Sequence, residues 1–354
     1  MFVIRGKLGD SLLAFMVLLE YAAAFPDDEI TLMVRKAYVP LFLADTPGKV
    51  VAFGSRVEMM LKVLWLRARR IHFDVLGILW GFGPPIAWIG RWVSATRKIY
   101  LNPKLPSIYP EWPKDQTVNS LVDPAWKVAR LIEPTVRKPD RLRLKALSEL
   151  HSTLCTDAIG IVPVADEPRK CLDAESLLIL LDAVRVGKGK RPIWVLLNRG
   201  DEGAGPLLDM KYPRGCTPKY FSNMKELIDL QAGLSEWMGV DTGLYHLAVS
   251  MGVPATLFFG PTQPGKNVLP GQGTKSYRIA ELRNEHCEVK TCVSPFCLYR
   301  VMELYGNRPF APLSEGSVPE GCLLTSCNAL DTSHLACWTG ESGTSISRRV
   351  DQEG

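Results

Sequence analysis

The sequence predicts an α/β protein built from two Rossmann-like domains that face each other across a cleft. Apolar runs of strand length alternate with longer segments of helical periodicity in both halves of the chain. This alternation pauses near residues 140–156 and restarts at the apolar run 158–164. The 354 residues exceed twice the length of a typical single domain. We therefore expect an N-terminal domain over residues 1–150, a C-terminal domain over residues 151–335 and a disordered polar tail at 338–354.

The first half begins with a strand, a turn, a helix and a second strand. The run MFVI is followed by the turn RGKLGD, and SLLAFMVLLEYAAAFP has helical spacing that stops at Pro26. Further along, KVVAF and FDVLGIL have the apolar pattern of strands, and VEMMLKVLWLRARR between them has that of a helix. A Pro-rich loop at 103–120 precedes the helical LVDPAWKVARLIEP.

The second half repeats the same order of elements. Its strand candidates are AIGIVPV, PIWVLL, EWMGV and ATLFFG. Its helix candidates are AESLLILLDAVRV, NMKELIDLQAGL and LYHLAVSMG. Strands that alternate with helices in this way form parallel sheets, and ligands of such sheets bind at the carboxyl ends of the strands.

Charge is distributed unevenly along the chain. The net charge is +5, but residues 1–150 hold 22 Lys and Arg against 14 Asp and Glu. Two basic segments, RVEMMLKVLWLRARRIHF and WIGRWVSATRKIYLNPK, also contain Trp. Such a surface fits anionic lipid, a phosphorylated acceptor or nucleic acid, and it equally fits an ordinary solvated basic face. Because no known nucleic-acid-binding signature is found, we expect no nucleic-acid partner.

The stretch GVDTGLYHLAVSMG places Asp241, Thr242 and Gly243 between a predicted strand and a predicted helix. Asp and Thr are good N-cap residues, and Gly lets a ligand approach the backbone. The first amides of the helix then offer a phosphate site, with His246 on the first turn. The alternative is an ordinary capped helix in which His246 is a packed core residue.

Two segments resemble one family of enzymes. VDTGLYHLAVSMGVPATLFFGPTQP is similar to the C-terminal signature of the bacterial heptosyltransferases, glycosyltransferase family 9, and VIRGKLGDSLLAFMVLLEYAAAFPDDEITLMVRKAYVPLF resembles their N-terminal strand, Gly-Asp loop and helix. The resemblance extends over about residues 2–330 and is thin in the middle. It implies the GT-B fold, in which two Rossmann-like domains face across a cleft.

The resemblance also implies roles for individual residues. Asp10 matches the family's proposed general base, and the adjacent Gly9 and Ser11 are candidates for binding acceptor or phosphate. The alternative for Asp10 is that it only caps the first helix. The family's donor site corresponds to Lys170, Asp241, Thr242, Gly243, His246 and Thr262. The match at Lys170 is looser because Cys171 and Leu172 follow it, so Arg169 is an alternative, and Gly200 and Glu202 are weaker candidates.

The implied function is inverting transfer of a sugar from a nucleotide-diphosphate sugar, with ADP-heptose and lipopolysaccharide core as the family's donor and acceptor. We expect no cofactor for catalysis, because the chain lacks the Asp-x-Asp motif of metal-dependent transferases. A non-catalytic relative that only binds nucleotide sugar, or a protein-modifying heptosyltransferase, is the alternative. P-loop, dinucleotide-binding and G-x-S-x-G motifs are absent.

Six of the nine cysteines lie between residues 287 and 337. Cys292 and Cys297 form one pair, and Cys322 and Cys327 form a second pair with the same spacing. Four residues between the cysteines of a pair is the longest spacing usual in structural zinc sites. The cysteines could therefore bind a structural zinc or iron, or they could be reduced thiols that bind no metal. The N-terminus lacks the pattern of a signal peptide. We expect a cytoplasmic protein that contacts the inner face of the membrane at its periphery.

Overall fold

A computed structural model describes residues 1–278 except for 102–104, 116–117, 167–169, 173, 201–203 and 260–266. The expected tail at 338–354 lies outside the described residues.

The N-terminal half contains a five-stranded parallel sheet in the order β3-β2-β1-β4-β5. Its strands are β1 (Phe2–Ile4), β2 (Ile30–Arg35), β3 (Gly48–Phe53), β4 (His72–Trp80) and β5 (Ser94–Tyr100). The helices of this half are α1 (Leu8–Ala24), α2 (Val39–Phe42), α3 (Arg56–Ala68), α4 (Pro84–Trp92), α5 (Asp123–Ile132) and α6 (Lys145–Leu154). The strand order reverses at β1 and β4, and ligands of open parallel sheets bind at this kind of switch point.

The C-terminal half contains a six-stranded parallel sheet in the order β11-β10-β9-β6-β7-β8. Its strands are β6 (Ala158–Val162), β7 (Ile193–Asn198), β8 (Cys216–Phe221), β9 (Leu234–Val240), β10 (Ala255–Phe259) and β11 (Lys275–Arg278). Its helices are α7 (Ala174–Lys188), α8 (Gly205–Leu208), α9 (Met224–Ala232) and α10 (Gly243–Ser250). This order is that of a dinucleotide-binding sheet, so the predicted architecture of two Rossmann-like sheets is confirmed.

The two halves are packed together where α1 meets α10. Buried side chains of both helices, such as Phe15 and Tyr245, belong to a single hydrophobic cluster. The segment between the sheets adds to this contact, because the Leu144 amide donates to the carbonyl of Ser250 at 2.9 Å. The predicted boundary between residues 150 and 151 falls inside α6 and stays a prediction.

In the described residues, no helix combines the length and apolar character that crossing a bilayer requires.

Candidate active site

Asp10 lies on the first turn of α1, directly after the turn that follows β1. The turn passes close to Trp80 at the end of β4: a Cβ atom added to Gly6 would lie 2.6 Å from Trp80 Cδ1 and 2.8 Å from Asp10 Cβ. Only glycine fits at this position without a shift of its neighbours. The tight turn therefore places the Asp10 side chain beside Trp80, at the carboxyl ends of β1 and β4.

The Asp10 carboxylate interacts with both halves of the chain. Burial raises the pKa of Asp10 above its usual value. Hydrogen bonds from the Lys7 backbone N–H and the Trp80 indole lower the pKa, as do the charges of Lys7 and Lys170, but these effects are smaller than that of burial. The Lys7 contact shows that Asp10 does cap α1. The contribution of Lys170 shows that the same carboxylate also lies near the predicted donor site. A raised pKa suits a general base that works near neutral pH.

The predicted donor loop has the expected local structure. β9 ends at Val240, Thr242 is the N-cap residue with extended backbone, and α10 begins at Gly243. The Thr242 side chain makes no capping hydrogen bond with the helix, so the first amides of α10 are not satisfied by that hydroxyl. Buried Asp241, between the strand and the helix, is 6% exposed.

Asp241 forms an ion pair with Lys170. The Lys170 Nζ donates to Asp241 Oδ2 at 3.0 Å, and the side chains are only 14% and 7% exposed. At such low exposure each charge depends on its partner, because water cannot solvate it fully. Two residues that are 71 positions apart in the chain are thus held together at the base of the donor loop.

His246 lies between the donor loop and the start of α1. A Cβ atom added to Gly9 would lie 2.6 Å from His246 Cδ2, and one added to Gly243 would lie 3.1 Å from the Gly9 backbone nitrogen. The N-termini of α1 and α10 therefore touch at two glycines and one imidazole. This contact brings the candidate base, Asp10, to the donor loop.

The His246 ring is buried, which agrees with both interpretations made from the sequence: a packed residue and a member of the site. The pKa of His246 is lowered to about 4, chiefly by burial. The negative charge of Asp241 raises the pKa and the positive charge of Lys170 lowers it, but both effects are smaller than that of burial. A neutral imidazole is therefore held between a buried ion pair and the backbone of α1.

The depressed pKa predicts a pH-dependent stability. Between pH 6.5 and about 4 the unfolded chain binds a proton at His246 that the folded chain excludes, so stability falls as the pH drops through this window. We expect a loss of about 2 kcal/mol at pH 5 relative to pH 7.5 from this residue. Urea unfolding of wild type and His246→Gln at several pH values measures it. An equally steep fall in the variant would contradict the assignment.

The rim of the cleft carries charged and aromatic residues that sequence reasoning missed. Lys7 and Asp166 form an exposed ion pair across the two halves at 3.0 Å. Burial raises the pKa of Tyr38, and the charges of Arg35, Asp166 and Asp10 also act on it. Arg35 is the last residue of β2 and Trp80 is the last residue of β4. Their position at the ends of predicted strands was the sequence feature that could have identified both as site residues.

The other predicted residues lie in several places. Ser11 is fully buried, and its Oγ has no hydrogen-bond partner in the described part of the chain. Gly200 lies in the exposed turn after β7. Their roles stay predictions, as do those of residues outside the described ranges: Thr262, Arg169, Glu202 and the cysteines Cys292, Cys297, Cys322 and Cys327. Within the described residues, no group of three or more His, Cys, Asp or Glu could hold a metal ion.

Comparison with known proteins points in the same direction. The model of the family "Glycosyltransferase family 9 (heptosyltransferase)" matches residues 218–296. A comparison with curated protein sequences finds no significant match.

Several solved structures share the fold. Heptosyltransferase WaaC of E. coli, solved with ADP, is 17% identical, with 78% of this chain and 92% of WaaC covered and a TM-score of 0.62. A family 9 glycosyltransferase of Veillonella parvula is 16% identical, with 85% and 94% covered and a TM-score of 0.63. ADP-heptose LPS heptosyltransferase II of E. coli is 15% identical, with 78% and 88% covered and a TM-score of 0.61.

These findings confirm the resemblance that the two sequence motifs indicated. The family match covers the donor loop, and the structural matches extend over both sheets. The chain has the GT-B fold of the solved heptosyltransferases, and its residues 218–296 resemble glycosyltransferase family 9.

Proposed function

We propose that this chain is an inverting glycosyltransferase that transfers heptose from ADP-heptose to a glycan acceptor such as lipopolysaccharide core, in the cytoplasm. One observation carries the proposal. Asp10 of the N-terminal half and the Lys170–Asp241 pair of the C-terminal half are brought together where Gly9 packs against His246. A base and a phosphate-binding cation would then lie near each other at the junction of the two halves.

On the acceptor side, Asp10 would act as the general base. An acceptor hydroxyl is a weak nucleophile until its proton is removed, and the carboxylate can receive that proton. The freed oxygen would attack the anomeric carbon from the face opposite the diphosphate. The new C–O bond forms as the bond to the diphosphate oxygen breaks, so the configuration inverts and the electron pair leaves with ADP.

On the donor side, positive charge would stabilise the departing diphosphate. The Lys170 side chain is only 14% exposed and is held by Asp241 at 3.0 Å, and Asp241 lies just before the N-terminus of α10, whose backbone N–H groups the Thr242 side chain does not cap. Preorganised donors of this kind stabilise charge that develops in the transition state. Neutral His246 adds a ring nitrogen for a hydrogen bond without adding a positive charge.

The choice of donor and acceptor rests on two of the similar structures. One is WaaC with ADP and another is an ADP-heptose LPS heptosyltransferase. Both substrates are carried to this chain as proposals, since the identities of 17% and 15% show the shared fold alone.

A ligand-stabilisation experiment tests the donor first. Melting temperatures are recorded with ADP-, GDP-, UDP- and dTDP-linked sugars and the free nucleotides. A ligand that binds only the folded chain raises the midpoint, and we expect the largest rise with ADP-heptose. A rise with another nucleotide class in place of ADP would overturn the choice of donor.

A transfer assay then separates an enzyme from a binding protein. ADP release and product mass are followed with ADP-heptose and lipopolysaccharide from a heptose-deficient strain. Transfer to this acceptor supports the proposal. Donor binding without transfer favours the non-catalytic relative, and a mass increase of a protein in the mixture favours the protein-modifying alternative.

A separate proposal concerns Cys292, Cys297, Cys322 and Cys327, which we suggest hold a structural zinc or iron. Metal analysis of the purified chain tests it against a variant in which all four are Ser. Equal metal content in both would overturn it.

A further inference from the structure

Helix α3 has two apolar stripes, of which only one is covered. Met59, Val63 and Leu66 are buried against the sheet. On the opposite side, Val57, Leu61 and Leu64 repeat with the same helical spacing and face solvent. A helix on the surface of a globular protein ordinarily presents charged and polar residues there. The second stripe is therefore not explained by the fold.

The second stripe is wide and strongly exposed. Val57 is 65% exposed, Leu61 is 61% exposed and Trp65 beside them is 52% exposed. Met60 and Leu64 complete the patch at 39% and 40%. We call these five side chains the α3 face. A contiguous apolar patch of this kind commonly marks an interaction site.

Basic residues flank the α3 face along its whole length. The exposed cations of α3 and the residues just after it are Arg56, Lys62, Arg67, Arg69 and Arg70. Helical spacing puts Arg56 and Arg67 on one side of the stripe and Lys62 and Arg69 on the other. The Arg69 guanidinium lies over the Trp65 ring at 5.8 Å. The helix carries one acidic residue, Glu58.

A groove extends the same surface towards the sheet edge. It has a volume of about 730 Å³ and lies between α3 and β3, the edge strand of the N-terminal sheet. Leu61 and Trp65 form one wall together with Lys62, and Lys36 adds another positive charge. The apolar and basic character therefore continues beyond the helix itself.

We infer that the α3 face docks on the surface of an anionic lipid bilayer. A helix with Trp and Leu on one side and Lys and Arg around them lies in the plane of a membrane interface, with its apolar residues in the acyl boundary and its cations at the headgroups. Each cation near an anionic surface adds to the binding. A second copy of the chain is a poorer partner, because a symmetric contact would bring the two sets of cations together. Nucleic acid would leave the apolar residues uncovered.

Vesicle co-sedimentation of the full chain tests the inference without any measurement of sugar transfer. The probe is phosphatidylcholine vesicles with about 30% phosphatidylglycerol. We expect wild type to bind, with binding that weakens as salt is raised. Leu61→Gln/Trp65→Gln should bind at least about tenfold more weakly, and Arg67→Gln/Arg69→Gln should lose most of the salt-dependent part.

The matched control is Val186→Gln, which removes a side chain that is 70% exposed on α7. It should bind vesicles as wild type does. All the substituted residues are exposed, so circular dichroism should be that of wild type, and loss of the contact between Arg67 and the Trp92 ring at 5.0 Å should lower the melting temperature only slightly. The inference is overturned if wild type does not bind, if pure phosphatidylcholine vesicles bind equally well, or if the Leu61/Trp65 variant binds as tightly. It is also overturned if wild type is a dimer that this variant dissociates while neither binds vesicles.

Discussion

Replacement of Asp10 by Asn is expected to lower kcat for transfer by about 10²- to 10⁴-fold, the range for loss of a general base. The amide keeps the shape of the carboxylate and can still accept the hydrogen bond from the Lys7 N–H, so α1 stays capped. It cannot take the proton of the acceptor hydroxyl. Steady-state kinetics with ADP-heptose and heptose-deficient lipopolysaccharide measure the loss, and the ADP-induced rise in melting temperature should be unchanged.

The pH profile of the wild-type enzyme gives a second test of the same residue. Because burial raises the pKa of Asp10, the acidic limb of kcat/KM should lie above the ordinary aspartate value of about 3.9. The control is Asp27→Asn, at an exposed position beyond the far end of α1, which should behave as wild type. If Asp10→Asn transfers sugar at the wild-type rate but unfolds more easily, Asp10 is only a helix cap.

Much of the fold was predictable because the central strands are apolar on both faces. β1, β6 and β9 are covered by helices on two sides, and their apolar runs were identified directly. Three strands were missed, β5, β8 and β11. β5 carries Arg97 and Lys98, and β8 contains Pro218 and Lys219. Both lie at the edge of a sheet, where solvent and a missing neighbour permit charged residues and proline.

The candidate site was predictable in its motifs but not in its contacts. Asp10, Asp241 and His246 follow predicted strands in recognisable motifs. In the structure the charge of Lys170 acts on both Asp10 and His246, and the charge of Asp241 acts on His246. Nothing local in the sequence indicated that Trp80, 70 residues after Asp10, would lie beside it. That contact depends on the order of strands in the sheet, which places β4 next to β1. Topology therefore decides which strand ends share a site.

Substitutions in the Lys170–Asp241 pair should show which part of its effect is on stability and which part is on donor binding. Lys170→Met removes the cation and leaves the Asp241 carboxylate, which is 7% exposed, without this partner. Removing one member of a buried ion pair typically costs about 3–5 kcal/mol. We expect a loss of that order in the free energy of unfolding from urea titration. The ADP-induced rise in melting temperature should also disappear, because the diphosphate loses the cation that neutralises it.

The double variant Lys170→Met/Asp241→Asn then distinguishes the two effects. With both charges gone, the interior no longer holds one charge of the ion pair without the other, so most of the lost stability should return. ADP binding should not return, since the cation is still missing. Lys188→Met is the matched control: its partner Glu236 is 18% exposed and keeps an ion pair with Arg191 at 3.2 Å, so ADP binding should be that of wild type. If the double variant binds ADP as wild type does, Lys170 does not contact the donor, and the pair is a structural link between the loop after β6 and the start of α10.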